Sequence, residues 1–236
     1  FKFMWSFLPE FMMLVTGGFP KLILLVEFAG ENEAEINAKC RKLVEKIQNY
    51  KLKTHITKSE TEANKYWDIR RESFALLRKH VQGKRTAPFI DDIIVRPEFL
   101  PKFIPELNFI LNKYPSLTYT LAGHAGDGNF HVIPLMDFSR ADTVKIITEL
   151  SEKVYDLVAK YHGSITAEHN DGLIRTPYLN KMYDNTMLDI FKKIKEIFDP
   201  QNIFNPGKKV PTESMGGTKK YIATHIAMEH NAGHKV

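Results

Sequence analysis

The sequence predicts an α+β domain, a ferredoxin-like antiparallel or mixed sheet with helices on one face. Three observations carry this. Short apolar runs bounded by turn residues alternate with longer stretches of helical spacing in the order β-α-β-α-β-α-β-β-α. Two of the runs, 117–122 and 130–135, flank a Gly-rich turn and read as a hairpin. The composition, 43% hydrophobic and 26% charged over 236 residues, is that of an ordinary globular chain able to bury a core.

The first fifteen residues are rich in aromatics and methionine. They lack the basic start and small-residue cleavage site of a signal peptide and are expected to cover another apolar surface. A first residue of Phe1 rather than methionine suggests a piece of something longer. Residues 20–28, Pro-Lys-Leu-Ile-Leu-Leu-Val-Glu-Phe, read as a buried strand. After Ala29-Gly30, Asn32 caps a helix whose apolar face carries Ile36, Cys40, Leu43, Val44 and Ile47. Cys40 is the sole cysteine, which excludes an intrachain disulfide and fits a reducing compartment; on that face it is a small core hydrophobe. Residues 52–58 read as a second, weaker strand.

Ser59-Glu-Thr-Glu62 is a capping box opening a helix of about twenty residues with Ala63, Trp67, Phe74 and Leu77 on one face. Arg70 falls on that face too. Its permanent charge must either snorkel out to water or find a partner there, an internal carboxylate or the carboxylate of a substrate, which a guanidinium grips bidentately. Residues 89–95 form the next strand, closed by Arg96-Pro97. A helix follows over 98–113 despite Pro101 and Pro105, with Phe103, Leu107, Ile110 and Leu111 spaced for burial.

In the hairpin turn, Gly123, Gly126 and Gly128 are expected to supply positive φ. Ser139 is expected to cap a long helix through Tyr161, ended by Gly163. Gly172 reads as a turn. A last amphipathic helix carries Met187, Phe191, Ile194 and Phe198 and stops at Asp199-Pro200. Asn205-Pro-Gly-Lys208 is a tight turn. The tail, 211–236, has one helical stretch near 219–229, and His225, His230 and His234 are expected to be exposed.

The net charge is +5 and the isoelectric point about 9.1. Acidic residues are interleaved with most of the basic ones, and the clusters at Arg70-Arg71, Arg78-Lys79-His80 and Lys84-Arg85 suit a solvated helix and loop, so a nucleic-acid partner is not expected. No apolar run reaches the ~18–20 residues that span a bilayer.

His124 enters the hairpin turn and His131 leaves it, so folding brings the imidazoles together. With Glu168 downstream they make a two-imidazole, one-carboxylate set suited to a divalent metal such as zinc with an open position. Two histidines seven apart are also common as structural residues. A phosphate-binding reading of the glycines fails because Asp127 would repel an anion. A metal held this way can take an α-hydroxy acid through its hydroxyl and carboxylate, with His169 as general base and Arg70 on the carboxylate.

These residues resemble the flavin-linked oxidases of the D-lactate dehydrogenase, glycolate oxidase and D-2-hydroxyglutarate dehydrogenase group, in their C-terminal domain. Gly123-His-Ala-Gly-Asp-Gly-Asn-Phe-His131 matches the family signature, Thr166-Ala-Glu-His169 its Glu-His element, residues 199–208 its closing segment, and Trp67-Asp-Ile-Arg70 the helix bearing the substrate arginine. The resemblance implies oxidation of a D-2-hydroxy acid to a 2-oxo acid with FAD. It implies metal ligands His124, His131 and Glu168, substrate contacts from Arg70, His124 and His131, His169 as the catalytic residue, and flavin contacts from Asn129, Asn205 and Lys208. Residues 20–210 would be the substrate and metal domain. Residues 1–19 would then pack on an FAD-binding domain or subunit, with 211–236 a tail.

Two departures from the family pattern bear on this. Asn170 stands where the family has glycine and must adopt its backbone, which asparagine tolerates. Phe89-Ile90 replace a lysine found in some members, favouring a small monocarboxylate such as D-lactate. The implied partners are that hydroxy acid and an electron acceptor, and the implied location is the cytoplasm or the cytoplasmic face of the membrane. The competing readings are a metal-dependent hydrolase and a non-catalytic subunit assembling on a flavoprotein.

Overall fold

The computed structural model describes residues 22–80, 83–211 and Lys220, with side chains omitted over 72–80. The N-terminal segment 1–19 and the tail with His225, His230 and His234 lie outside the described residues, as does the 219–229 stretch apart from Lys220. The chain divides into two compact units, Phe1–Ala75 and Leu76–Val236.

In the first unit, helix α1 (Glu33–Ile47) starts where Asn32 accepts the Glu35 N–H at 2.9 Å, satisfying one of the donors a helix start leaves open. Its expected stripe, Ile36 to Ile47, is half-buried. Helix α2 (Glu60–His80) is capped by Ser59, whose Oγ accepts the Glu62 N–H at 3.2 Å. The Glu62 carboxylate reaches one residue further back than a standard box and accepts the Lys58 N–H at 2.6 Å. That hydrogen bond, then the one to His55, holds the Glu62 carboxyl below its ordinary pKa.

Two expected strands are corrected. Within 20–28 the described residues form no strand, and Leu22, Ile23, Leu24 and Val26 are 60–72% exposed. Residues 52–58 form none either. An apolar run becomes a strand only against a partner edge, and no described strand pairs with either stretch.

The second unit contains the sheet, and the α+β class stands. It is antiparallel and built on one central strand. Strand β4 (Asn129–Met136) pairs along its length with β3 (Thr118–His124); its other edge is shared by two short strands, β1 (Arg85–Thr86) opposite Met136–Leu135 and β2 (Ile93–Ile94) opposite Phe130–Asn129. Helices α3 (Leu100–Leu111) and α4 (Thr143–Lys160) bury Phe103, Leu107, Leu111, Ile147, Leu150 and Val154 in one core with Ile93, Val95 and Val132. Helix α3 admits Pro101 in its first turn, where the missing N–H costs nothing, and carries Pro105 inside.

Several boundaries move. The strand expected over 89–95 shrinks to Ile93–Ile94 because Asp92 takes φ 62, a left-handed conformation that breaks the extended backbone. Ser139 does not cap α4. It turns back, its N–H donating to Asp137, and the helix begins after Asp142. Gly126 is not at positive φ, whereas Gly123 and Gly128 are. Gly172 opens a short helix, α5 (Gly172–Arg175), rather than a turn. Helix α6 (Asn185–Phe198) ends at Asp199 as expected, but Met187, Ile194 and Phe198 are exposed and Phe191 is half-buried against Tyr183.

Helix α4 closes through His162 at φ 52, with the Gly163 N–H donating to Val158 at 2.9 Å. Gly163 is required for a different reason from a left-handed cap: a Cβ there would lie 2.3 Å from the Ile94 carbonyl oxygen. This closeness permits an antiparallel bridge, with Ile94 and Ser164 exchanging hydrogen bonds of 3.0 and 2.9 Å. Gly163→Ala is therefore expected to lower stability by about 1–3 kcal/mol, read as an earlier urea midpoint. A midpoint unchanged from the parent chain would contradict the close approach.

Candidate metal and catalytic site

The hairpin register explains how its two histidines meet. Ala122 is opposite His131 and His124 opposite Asn129, so His124 and His131 are diagonal neighbours on one face of the ribbon. Their ring centroids are 5.9 Å apart, edge to face. The turn between the strands lies against the end of β2: Val95 donates its N–H to the Gly128 carbonyl at 3.1 Å, and a Cβ on Gly128 would fall 1.8 Å from the Val95 oxygen.

The Glu168-His169 segment is brought to this hairpin by a carboxylate that the sequence reading passed over. Asp92 is fully buried, and its Oδ2 accepts the N–H groups of Ala167 at 2.9 Å, Glu168 at 3.1 Å and His169 at 2.8 Å, with the Thr166 hydroxyl at 3.1 Å. Its Oδ1 accepts the Asn129 side-chain N–H at 3.0 Å. Burial pushes the Asp92 pKa up, but the amide hydrogen bonds of His169, Ala167 and Glu168 outweigh it and hold the carboxyl at about 2. Asn170 adopts φ 64, a left-handed backbone that asparagine tolerates, and its side-chain oxygen accepts the Asp171 N–H.

The result is a convergence on Glu168. Its Oε1 is 2.9 Å from His131 Nε2, 3.5 Å from His124 Nε2 and 4.0 Å from His169 Nε2. Donor atoms of Asp92, His131, Glu168 and His169 lie within 4.8 Å of one another. Asp92 is nevertheless a poor metal ligand, because its lone pairs are taken by the hydrogen bonds that hold the backbone. His131 and Glu168, with His124 at the open side, keep free donors. The other flank of His131 is Asp91, whose Oδ1 lies 3.0 Å from Nδ1. His131 thus lies between two carboxylates, and a neutral imidazole has one N–H. Its second nitrogen faces an anion at 2.9 Å and calls for a cation between them, either a second proton or a metal ion. The donor set fits a zinc-type ion with imidazole and carboxylate ligands.

Arg175, also missed by sequence reasoning, is buried on α5. Its guanidinium donates to the Asp91 carbonyl at 2.6 Å and the Asn170 carbonyl at 2.8 Å, tying the two acidic stretches together. Beside it, His169, Asn170, Gly172, Lys208 and Lys209 line a cavity of about 270 Å³. Lys209 pairs with the buried Asp171; Lys208 donates to Asn205 at 3.0 Å within the expected tight turn. Of the three residues that the resemblance assigns to flavin, Asn205 and Lys208 are exposed. Asn129 is buried against Asp92, and its Oδ1 has no partner among the described residues. Arg70 belongs to the first unit, where it is exposed with its guanidinium 5.8 Å from the Trp67 ring.

A family described as "FAD linked oxidases, C-terminal domain" matches residues 20–209. The chain belongs to this family. Relatives include D-2-hydroxyglutarate dehydrogenases of Haemophilus influenzae, 32% identical over 78% of this chain, and of Escherichia coli, 30% identical over 81%. The glycolate oxidase subunit GlcD of Bacillus subtilis is 27% identical over 80%. The chain spans 18% and 19% of the length of those two dehydrogenases and 39% of the glycolate oxidase subunit. Among the described residues, no helix is long and apolar enough to cross a membrane.

Asp92 also sets a pH dependence. Its folded pKa of about 2 lies below the ordinary carboxyl value, so its contribution is present above about pH 4 and is lost as pH falls through about 2. Asp92→Asn is expected to cost roughly 2 kcal/mol at neutral pH, a difference that shrinks toward zero in urea titrations between pH 4 and 2. A gap that stays constant with pH would contradict the hydrogen-bonded carboxylate.

Proposed function

We propose that this chain is the C-terminal part of an FAD-dependent oxidoreductase that oxidises a 2-hydroxy acid to the 2-oxo acid, with a divalent metal, zinc by its donor set, at the substrate site. The observation that carries the reading is the approach of three imidazole nitrogens to one oxygen of Glu168, within 4.0 Å. Family membership supports the flavin chemistry.

In this reading residues 20–210 act as one substrate and metal domain. His124, His131 and Glu168 hold the metal. His169, half exposed beside them, takes the hydroxyl proton at Nε2, since its Nδ1 faces Asp91. Arg70, the residue that the resemblance assigns to the substrate carboxylate, carries a planar fork suited to one. Lys208, which lines the cavity beside His169, and Asn205, which accepts its hydrogen bond, are this chain's contribution to flavin binding, and Asn129 acts through Asp92. A bound metal would supply Lewis acidity to the substrate hydroxyl, and a bound flavin would supply the acceptor for the α-hydrogen as hydride. The flavin's main binding surface, on a separate domain or subunit, and the electron acceptor complete the assembly. Its setting in this reading is the cytoplasm or the cytoplasmic face of the membrane.

The first candidate substrate is D-2-hydroxyglutarate, the compound named in the relatives of Haemophilus influenzae and Escherichia coli. The preference for D-lactate rested on Phe89 and Ile90, and both side chains are buried in the core. That position therefore carries little weight for substrate choice.

Two measurements test the reading. Elemental analysis of the purified chain is expected to give about one divalent metal per chain, lost in Glu168→Ala and His131→Ala; retention in both variants would remove the metal assignment. In the protein assembled with its FAD-binding part, His169→Asn is expected to lower kcat by about 10²–10⁴-fold with metal content unchanged. D-2-hydroxyglutarate, D-lactate and glycolate are compared as substrates; turnover of none would overturn the oxidoreductase reading.

A further inference from the structure

Asp91 adjoins the carboxylate that holds the Glu-His backbone, yet its own side chain points to a different task. It is nearly buried, and its Oδ1 accepts the Asp92 N–H at 2.8 Å and faces His131 Nδ1 at 3.0 Å. Its Oδ2 faces His169 Nδ1 at 3.6 Å, longer than a hydrogen bond but an ion-pair distance. The two rings lie nearly parallel, 21° apart with centroids at 5.0 Å, so their Nδ1 edges address the same carboxylate. Arg175 donates to the Asp91 carbonyl and fixes its backbone from behind.

We propose that Asp91 is a positioning residue that sets the tautomer of both His131 and His169 through their Nδ1 edges. An ionised carboxylate only accepts hydrogen bonds, and an imidazole between two of them gives its one N–H to the better-fixed acceptor: Asp91 is nearly buried and faces both rings, whereas Glu168 is about half exposed and its Oε1 is shared among three imidazoles. With Nδ1–H directed at Asp91, each ring presents its Nε2 lone pair on the opposite side, where Glu168 Oε1 lies 2.9 Å from His131 and 4.0 Å from His169. The same carboxylate thereby makes His131 ready to bind a metal and His169 ready to accept a proton. The adjacent acids divide the work: Asp92 holds the backbone that carries Glu168 and His169, and Asp91 holds the faces of the imidazoles. The inference deepens the metal and base assignments made above, and rests on them for its affinity readout alone.

The test is long-range ¹⁵N–¹H NMR of the full chain, at a pH where its imidazoles are neutral, for the parent protein, Asp91→Ala and Asp91→Glu. The parent is expected to carry Nδ1–H on His131 and His169. Asp91→Ala is expected to shift both toward the Nε2–H form that free imidazole side chains prefer, and Asp91→Glu to restore Nδ1–H on at least His131. Zinc affinity by chelator competition is expected to fall about 10–100-fold in Asp91→Ala. Nε2–H on either ring of the parent, or a parent-like pattern in Asp91→Ala, overturns the proposal; if that variant does not fold, the parent spectrum decides alone. Parent protein that shows Nδ1–H on both rings but takes up no zinc removes the metal reading and supports the tautomer assignment.

Discussion

The structure of the site depends on one buried carboxylate gathering the amides of a segment more than seventy residues away. Asp92 has no exposed surface, and a lone charge there would be expensive. Three backbone N–H groups, one hydroxyl and the Asn129 amide compensate it, and the geometry that lets them do so is what brings Glu168 and His169 to the hairpin. Other features serve this contact. Asp92 leaves the extended conformation to turn its side chain inward, which cuts the strand short. The Ile94–Ser164 bridge and the bare backbone of Gly163 set the start of the 164–169 segment against β2. Asn129, two residues before His131 on the same strand, links the carboxylate to the hairpin itself.

Around that anchor, carboxylates and imidazoles gather within a few ångströms of one another. Asp91, Asp92 and Glu168 lie near three imidazoles, and Arg175 directs its two terminal nitrogens to backbone carbonyls. A carboxylate on each side of His131 leaves that ring one hydrogen short when neutral. Holding such a ring in place is consistent with metal ligation, where the carboxylate on the far side of a histidine orients it and raises its basicity.

Much of this was legible in the sequence because it is local. A turn motif places His124 and His131 on one ribbon face, Asn170 adopts a left-handed backbone that asparagine tolerates, and Asn32 and Ser59 cap the helices foreseen for them. What was not legible rests on contacts between distant residues. Asp91-Asp92 read as part of an ordinary strand, and Arg175 carries no local signal; an acidic pair inside an apolar run was the signal available for the first. The run at 20–28 and the 52–58 stretch failed as strands because apolar content does not supply a partner edge. Ser139 lost the α4 start to a tighter local turn on Asp137. The apolar face of α6 was read correctly as a stripe, but periodicity says which residues share a face and not whether that face is covered.

The most direct measurement of the central claim, that these imidazoles and Glu168 form one metal centre, is X-ray absorption of the zinc-loaded chain and of its Glu168→Ala variant. The account predicts a first shell of nitrogen and oxygen donors at about 2.0–2.2 Å with outer-shell scattering from two or three imidazoles, and loss of that spectrum in the variant. A shell without imidazole scattering, or a spectrum the variant leaves unchanged, would contradict it.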